Sequence, residues 1–362
     1  MSVTVHLVTG EQGAGGGGVG DYTRILGAAL QRRGAEVRLW DARDPLTRRS
    51  LEHAACATPG YVLLQYVPNT LGARGANIGF CLWLLGLRRR GIDVRVMFHE
   101  PYFYFSSHPL RNGLALVQRV MAAILLRAAS RVYVSTEQWR RLLAPFAPQG
   151  TAFTVIPVPA TIATSARESD VRAWRLKLAG DAVNLAGHFG TFGEHVATDL
   201  RPIVPALLGR RSDLRFACIG RGSEVFVGAL ARAHPHLASR MVATGSLDEE
   251  QAAAALAACD LAIQPYPDGV TTRRTSVMAP LANAVAVVTS LGVLTEHVWT
   301  ASGAAALATA SDAAAHVDAA IALFDDPAER SRLAARGRAA YREHFSLDRT
   351  LEALLPAQAS PA

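Results

Sequence analysis

Short apolar runs alternate with helical patterns along the whole chain. Strand-like runs stand at about 3–9, 35–40, 61–66, 92–98, 131–135 and 153–157, and again at 182–187, 214–219, 240–244, 260–265, 285–290 and 304–308. Most are continuously apolar, the sign of strands buried on both faces of a parallel sheet. Helical spacing fills the gaps, for example over 19–33, 248–258 and 312–324. Strand and helix in steady succession predict an α/β, doubly wound architecture. The succession breaks once, at Pro157, Pro159 and the hydroxyl residues Thr161, Thr164 and Ser165, before a polar helix-like stretch at 168–178. Two similar α/β halves are therefore expected, 1–165 and 166–340.

Composition narrows the class. The chain has 362 residues, half of them hydrophobic, which is enough for two cores of ordinary size. Cys56, Cys81, Cys218 and Cys259 lie far apart with no Cys-x-x-Cys spacing. That pattern argues against a disulfide framework or a zinc site and fits a reducing cytoplasm. The chain opens on a strand-like run without the layout of a signal peptide, and no stretch reaches the ~20 apolar residues of a membrane span. Net charge is +7, with the cations scattered. That balance suits an anionic ligand and gives no aromatic-basic groove for nucleic acid.

The segment 261–289 carries the strongest chemical signal. It reads as strand, hydroxyl-and-arginine turn, helix, strand. A helix N-terminus past a strand's carboxyl end offers backbone N–H groups and a favourable dipole to an anion. Thr271, Thr272, Thr275 and Ser276 add hydroxyls, and Arg273 and Arg274 add guanidinium forks suited to phosphate. A solvated arginine pair is the plain alternative, but cations oppose the dipole at that end of a helix.

Other candidates also fall at carboxyl ends of strand-like runs, where open parallel sheets bind ligands. The glycine-rich stretch from Glu11 to Tyr22, including Gly17 and Gly18, can bring backbone N–H groups against a phosphate or sugar. Its Gly15-x-Gly17-x-x-Gly20 spacing formally matches a dinucleotide fingerprint, with Asp41 as the ribose acid, so nicotinamide or flavin binding stays open. His99 and Glu100 follow one strand, and the aromatic run from Tyr102 follows them. Gly190 and Thr191 lie in one glycine turn of the second half; Arg221 and Gly222 lie in the next. Glu296 is a further carboxylate able to hold a hydroxyl. No Asp-x-Asp occurs, and His234 and His236 lack a partner acid or cysteine, so no metal site is expected. The stretch 76–90, with Phe80, Trp83 and then Arg88, Arg89 and Arg90, reads as a core helix with a solvated end. Together with the aromatics at 102–105, its alternative is a basic-rimmed lipid-facing patch.

Taken in order, these pieces resemble the retaining glycosyltransferases of the GT-B fold, family 4. The resemblance covers nearly the whole chain. It runs through the glycine loop with Tyr22, His99-Glu100, the crossing at 155–159, the Thr244-Gly245-Ser246-Leu247 turn, Glu296 and the tail from Glu343. It implies two facing Rossmann-like domains with a cleft between them, and a last helix, within 341–362, that crosses back to the first domain. It also implies metal-independent transfer of a sugar from a nucleotide-sugar donor to an acceptor hydroxyl, with retention and no cofactor. The acceptor class stays open between a glycan, a lipid-linked glycan and a small molecule.

The chain departs from the family pattern in two places. The 187–193 loop lacks the family's arginine and lysine, and Thr271 and Ala279 stand where the family carries paired glutamates. It looks like a divergent branch in which Asp268 holds sugar hydroxyls and Arg273 or Arg274 grips the diphosphate. His99, Asp268, Arg273 and Arg274 are the expected catalytic residues. Gly17, Gly18, Gly190, Thr191, Arg221, Gly222, Thr271, Thr272, Thr275, Ser276 and Glu296 are the expected donor contacts, and Glu100 and Tyr102 the acceptor contacts. Loss of the glutamates leaves open a non-catalytic binding protein of the same fold. The expected location is cytoplasmic, with peripheral membrane association an open alternative.

Overall fold

A computed structural model describes residues 3–10, 18–44, 46–72 and 75–355. The chain divides into two compact units, Met1–Pro157 with Leu347–Ala362, and Val158–Ser346. In the first unit the order is β1 (Thr4–Thr9), α1 (Gly18–Arg32), β2 (Glu36–Asp41), α2 (Thr47–Ala57), β3 (Gly60–Tyr66), α3 (Ile78–Arg89), β4 (Asp93–Phe98), α4 (Pro109–Ala128), β5 (Arg131–Val134), α5 (Glu137–Leu143) and β6 (Phe153–Val155). The second unit runs α6 (Glu168–Ala179), β7 (Asn184–Phe189), α7 (Glu194–Arg210), β8 (Leu214–Ile219), α8 (Ser223–Ala233), β9 (Met241–Ala243), α9 (Glu249–Ala257) and β10 (Leu261–Gln264). It continues through α10 (Thr275–Ala282), β11 (Ala286–Leu291), α11 (His297–Ser302), β12 (Ala306–Thr309), α12 (Ala313–Asp325) and α13 (Pro327–Ala340). The helix α14 (Leu347–Leu354) returns to the first unit.

Each unit holds one six-stranded, fully parallel sheet. The strand orders are β2-β1-β3-β4-β5-β6 and β12-β11-β10-β7-β8-β9. The strands are the apolar runs of the sequence, and nearly every position of β1, β3, β4, β7, β8, β10 and β11 is buried. Helices cover both faces of the second sheet, giving one core around Leu185, Val277 and Trp299 and another around Phe216, Ile263 and Val288. Helix starts follow local chemistry: Asp248 caps α9 by accepting from Gln251 N at 2.8 Å, and Asp312 caps α12 from Ala315 N at 3.0 Å.

The unit boundary falls at Pro157 and Val158, earlier than the expected 165, and the returning tail begins at Leu347 rather than 341. Packing explains both shifts. Val158 N donates to Thr272 O at 2.9 Å, tying residue 158 to the second unit. Tyr341 and Phe345 are buried in that unit's core: Tyr341 Oη accepts from Ala160 N, and Phe345 stacks on Trp299 with ring centroids 5.0 Å apart. Beyond them, α14 buries Thr350, Leu351 and Leu354 in the first unit. The Leu354 carbonyl, which no later turn of α14 can satisfy, accepts from Tyr61 Oη at 3.1 Å and Arg95 Nη1 at 2.9 Å. Phe345→Ala should destabilise the second unit by about 3–5 kcal/mol. Denaturant unfolding should show its transition moving while that of the first unit stays in place.

Candidate functional site

In the second sheet the strand order reverses between β7 and β10, so their carboxyl ends flank a switch point, the usual ligand crevice of an open α/β sheet. The loop after β7 turns at Gly190 (φ +150), and its amide donates to Ile219 O at 3.0 Å. Gly220 (φ +124) follows β8, and a Cβ there would lie 2.2 Å from Gly190 O, so only glycine lets these two loops touch. On the other side, a Cβ on Gly190 would lie 3.4 Å from Ser276 Cβ in the first turn of α10. The β7 loop, the β8 loop and the start of α10 thus converge.

The loop from Pro265 to Arg274 is held at several points by the chain that follows it. Tyr266 N donates to Ser290 Oγ at 2.8 Å, and Ser290 Oγ hydrogen-bonds His316 Nε2 at 3.0 Å. His316 Nδ1 meets the Asp312 carbonyl at 2.7 Å and so carries its proton there, which leaves Nε2 to accept from Ser290. Glu296 accepts from both Thr272 N and Thr272 Oγ1 (2.9 Å). Both of its oxygens therefore serve the loop, so Glu296 acts here as an anchor of the turn. Tyr266 Oη bonds Ser276 Oγ at 2.7 Å, and Arg274 lies over the Tyr266 ring at 4.9 Å. Burial pushes the Tyr266 phenol up to about 12, so it stays a neutral donor.

Several polar groups at this crevice are buried without a hydrogen-bond partner among the described residues: His188 Nε2, Gln264 Oε1, Thr271 Oγ1 and Arg274 Nε. Orphans of this kind are rare in folded proteins and call for a partner. His188 Nδ1 faces the Ile263 carbonyl at 2.8 Å and must donate to it, so Nε2 presents a lone pair. Burial lowers the His188 pKa to about 4, keeping it neutral. Gln264 Nε2 donates to Phe189 O at 3.2 Å, which turns its oxygen free. The cap residue of α10, Arg274, makes no side-chain cap hydrogen bond. His188, expected just past the 182–187 run, lies inside β7, and Gln264 closes β10; neither was among the expected donor contacts. The signal was there: each is a polar residue near the carboxyl end of an otherwise apolar run.

The structure brings Gly190, Thr271, Thr272, Arg274, Thr275, Ser276 and Glu296 together at this edge, with Arg273 partly buried beside them. Thr191, Arg221 and Asp268 are exposed on the neighbouring loops, and Gly222 takes the left-handed conformation that starts α8. In the first unit, Gly17 lies outside the described residues and Gly18 opens α1. His99 follows β4 and is buried, with Nε2 2.7 Å from Gln65 Oε1 and its carbonyl accepting from Trp139 Nε1 at 2.7 Å. Burial lowers its pKa to about 3. Glu100 is half-buried. Tyr102 donates its hydroxyl to Leu142 O at 2.8 Å, under the Arg119 guanidinium at 4.2 Å, so that hydroxyl is committed to the fold.

Comparison with known proteins places the fold. No family model matches the chain, and no curated protein matches its sequence. Solved structures do match it over almost its whole length. Sucrose-phosphate synthase from Thermosynechococcus elongatus superposes with a TM-score of 0.71 at 16% identity, covering 97% of this chain and 98% of that one. A UDP-forming trehalose-phosphate synthase from Burkholderia vietnamiensis gives 0.68 at 12% identity, with 98% of each chain covered. HepE from Anabaena, solved with UDP, gives 0.66 at 15% identity, covering 98% and 100%. The chain therefore has the two-domain α/β fold of GT-B glycosyltransferases.

Two buried neutral histidines make stability depend on pH. Their folded pKa lies below the unfolded value near 6.5, so the unfolded chain binds more protons in between. Their contribution is intact above about pH 6.5 and is lost as pH falls towards the folded values. Each should forfeit about 2 kcal/mol by pH 5. His99→Gln and His188→Gln should each flatten the fall of the urea midpoint between pH 7 and pH 5. An unchanged fall would mean that the imidazoles titrate normally in the fold.

Proposed function

We propose that this protein is a retaining, metal-independent glycosyltransferase of the GT-B class that uses a nucleotide-sugar donor. The observation that carries the reading is the carboxyl edge of the second sheet, where a helix N-terminus and an arginine meet buried, unpartnered polar groups at the switch point. The first turn of α10 and the guanidinium groups of Arg273 and Arg274 suit the donor diphosphate. His188 Nε2 and Gln264 Oε1 present lone pairs, which repel phosphate oxygens and accept from sugar or base donors. A single site with both characters fits a molecule with a phosphate part and a hydroxyl-rich part. HepE was solved with UDP and with UDP-glucose, so uridine diphosphate sugars are the first donors to test.

In the reaction, the bond from the anomeric carbon to the diphosphate oxygen breaks and a bond from that carbon to the acceptor oxygen forms on the same face. The acceptor proton passes to the departing phosphate, so neither a protein nucleophile nor a cofactor is needed. Arg273 and Arg274 offset the charge that develops on the leaving group. Such preorganised donors are worth about 3–4 kcal/mol each. On the acceptor side, neutral His99 hydrogen-bonds an incoming hydroxyl. Its Nε2 is engaged by Gln65, which leaves Nδ1 as the acceptor.

The Arg273→Ala and Arg274→Ala double variant should lose turnover by about a thousandfold or more. Transfer assays with UDP-glucose and a mixed acceptor panel would check this, and near-normal turnover would reject the roles of both residues. His99→Ala should lower turnover while leaving UDP binding within about twofold by calorimetry. Weaker UDP binding at normal turnover would remove His99 from the acceptor side. UDP binding without transfer to any acceptor would instead favour a non-catalytic binding protein.

A further inference from the structure

The first unit carries a surface that this reading does not use. Five of the large hydrophobic side chains that are exposed lie within residues 104–120: Tyr104, Phe105, Leu110, Leu116 and Val120. Leu110 is 93% exposed, Phe105 59% and Leu116 58%. On α4, positions 113, 116 and 120 fall on one face, away from the buried Ala115, Ala122 and Leu125, and Leu110 stands exposed in the first turn. The helix is thus apolar on its solvent side as well as its core side.

Topology extends this face. Because β3, β4 and β5 are consecutive neighbours, right-handed crossovers place α3 and α4 side by side on the same side of the sheet. The two helices pack against each other in one core with Phe80, Leu84, Met121 and Leu125. Leu82 of α3 is exposed as well. The aromatic segment after β4 is pinned to α4, with Phe103 N donating to Gln118 Oε1 at 2.9 Å and Arg119 lying over the Phe105 ring at 4.0 Å.

Charge identifies the occupant. From Gly75 to Ile92 and from Pro101 to Ser130 there is no Asp or Glu, while Arg88, Arg89, Arg90, Arg111, Arg119 and Arg127 are present. Arg90 pairs with Glu52 of α2, but among the described residues no ion pair involves Arg88, Arg89 or Arg111. A second copy docked through this face would set cations against cations with no acid to meet them. Exposed apolar side chains on a surface that carries arginines and no acid, with Arg111 lying over the Phe103 ring at 5.2 Å, match an interfacial helix resting on anionic lipid.

We infer that the α3–α4 face, with Tyr104 and Phe105, docks on an anionic phospholipid surface. No described helix is long and apolar enough to cross a membrane, so the contact is peripheral. The inference does not rest on the transfer reaction. If that reaction holds as well, the acceptor is a membrane-held hydroxyl, because His99 and the docking segment leave the same end of β4 within a few residues.

The test is co-sedimentation of the full-length protein with vesicles of phosphatidylcholine alone or mixed with phosphatidylglycerol, without donor or acceptor. Binding should require the anionic lipid and weaken with added salt. Each arginine near such a surface contributes about fivefold, so Arg88→Gln, Arg89→Gln and Arg111→Gln together should weaken binding about a hundredfold. Leu116→Glu with Val120→Glu should abolish binding while melting temperature and circular dichroism stay unchanged. Equal binding to both vesicle types, no binding to either, or variants that bind like the parent would overturn the inference. A dimer in sedimentation velocity that Leu116→Glu dissociates would assign the face to a second copy instead. Vesicle binding is read apart from turnover, so an inactive transferase reading leaves this result intact.

Discussion

The turn between β10 and α10 has to hold two threonines and two arginines against a sheet edge that is closed on both faces by helices. It does so by borrowing partners from the next strand and the turn beyond it. Ser290 accepts from the Tyr266 amide and donates its hydroxyl hydrogen bond to His316, while Glu296 takes both donors of Thr272. Gly269 sits at φ +97, where a Cβ would fall 2.4 Å from Thr295 Oγ1, so the turn is also wedged against the segment after β11. With its backbone held this way, the turn has little freedom left to rearrange. The polar groups left over, on Thr271 and Arg274, then point to a partner from outside the chain.

The electrostatics of the two units follow one rule. Histidines at the carboxyl edges of both sheets are buried and kept neutral by desolvation, so they act as hydrogen-bonding groups with a fixed proton. Arginines near aromatic rings have their flat faces covered, as with Arg274 on Tyr266, Arg119 on Tyr102 and Arg95 on Tyr61 at 3.6 Å. Neutral acceptors beside a stacked cation put two kinds of hydrogen-bonding character at one sheet edge.

Much of the fold could be read from the order of apolar runs. Parallel strands buried on both faces must be continuously apolar, and that pattern survives without any knowledge of the partners. The expected helix at 19–33 appears as Gly18–Arg32, and that at 312–324 as Ala313–Asp325. The unit boundary was read late because the Pro-rich crossing marks where the chain changes direction, whereas membership is decided by packing. Val158 bonds Thr272, and Phe345 stacks on Trp299; neither contact leaves a trace in local composition. The stretch 76–90 reads as a core helix with a solvated end, and α3 does bury Phe80 and partly cover Trp83, while the exposed apolar residues of α4 gave no signal of their own.

Local sequence determined the elements, their parallel pairing and the chemistry available at each strand end, because periodicity, capping residues and glycine turns act over a few residues. Only the tertiary structure decided which of those groups are spent within the chain. Glu296 and the Tyr102 hydroxyl, both expected to face a sugar, are taken up by Thr272 and Leu142, whereas His188 and Gln264, hidden in apolar strands, are left with unmatched lone pairs. Whether a polar atom is satisfied depends on neighbours distant in sequence, and those neighbours exist only once the sheets have formed.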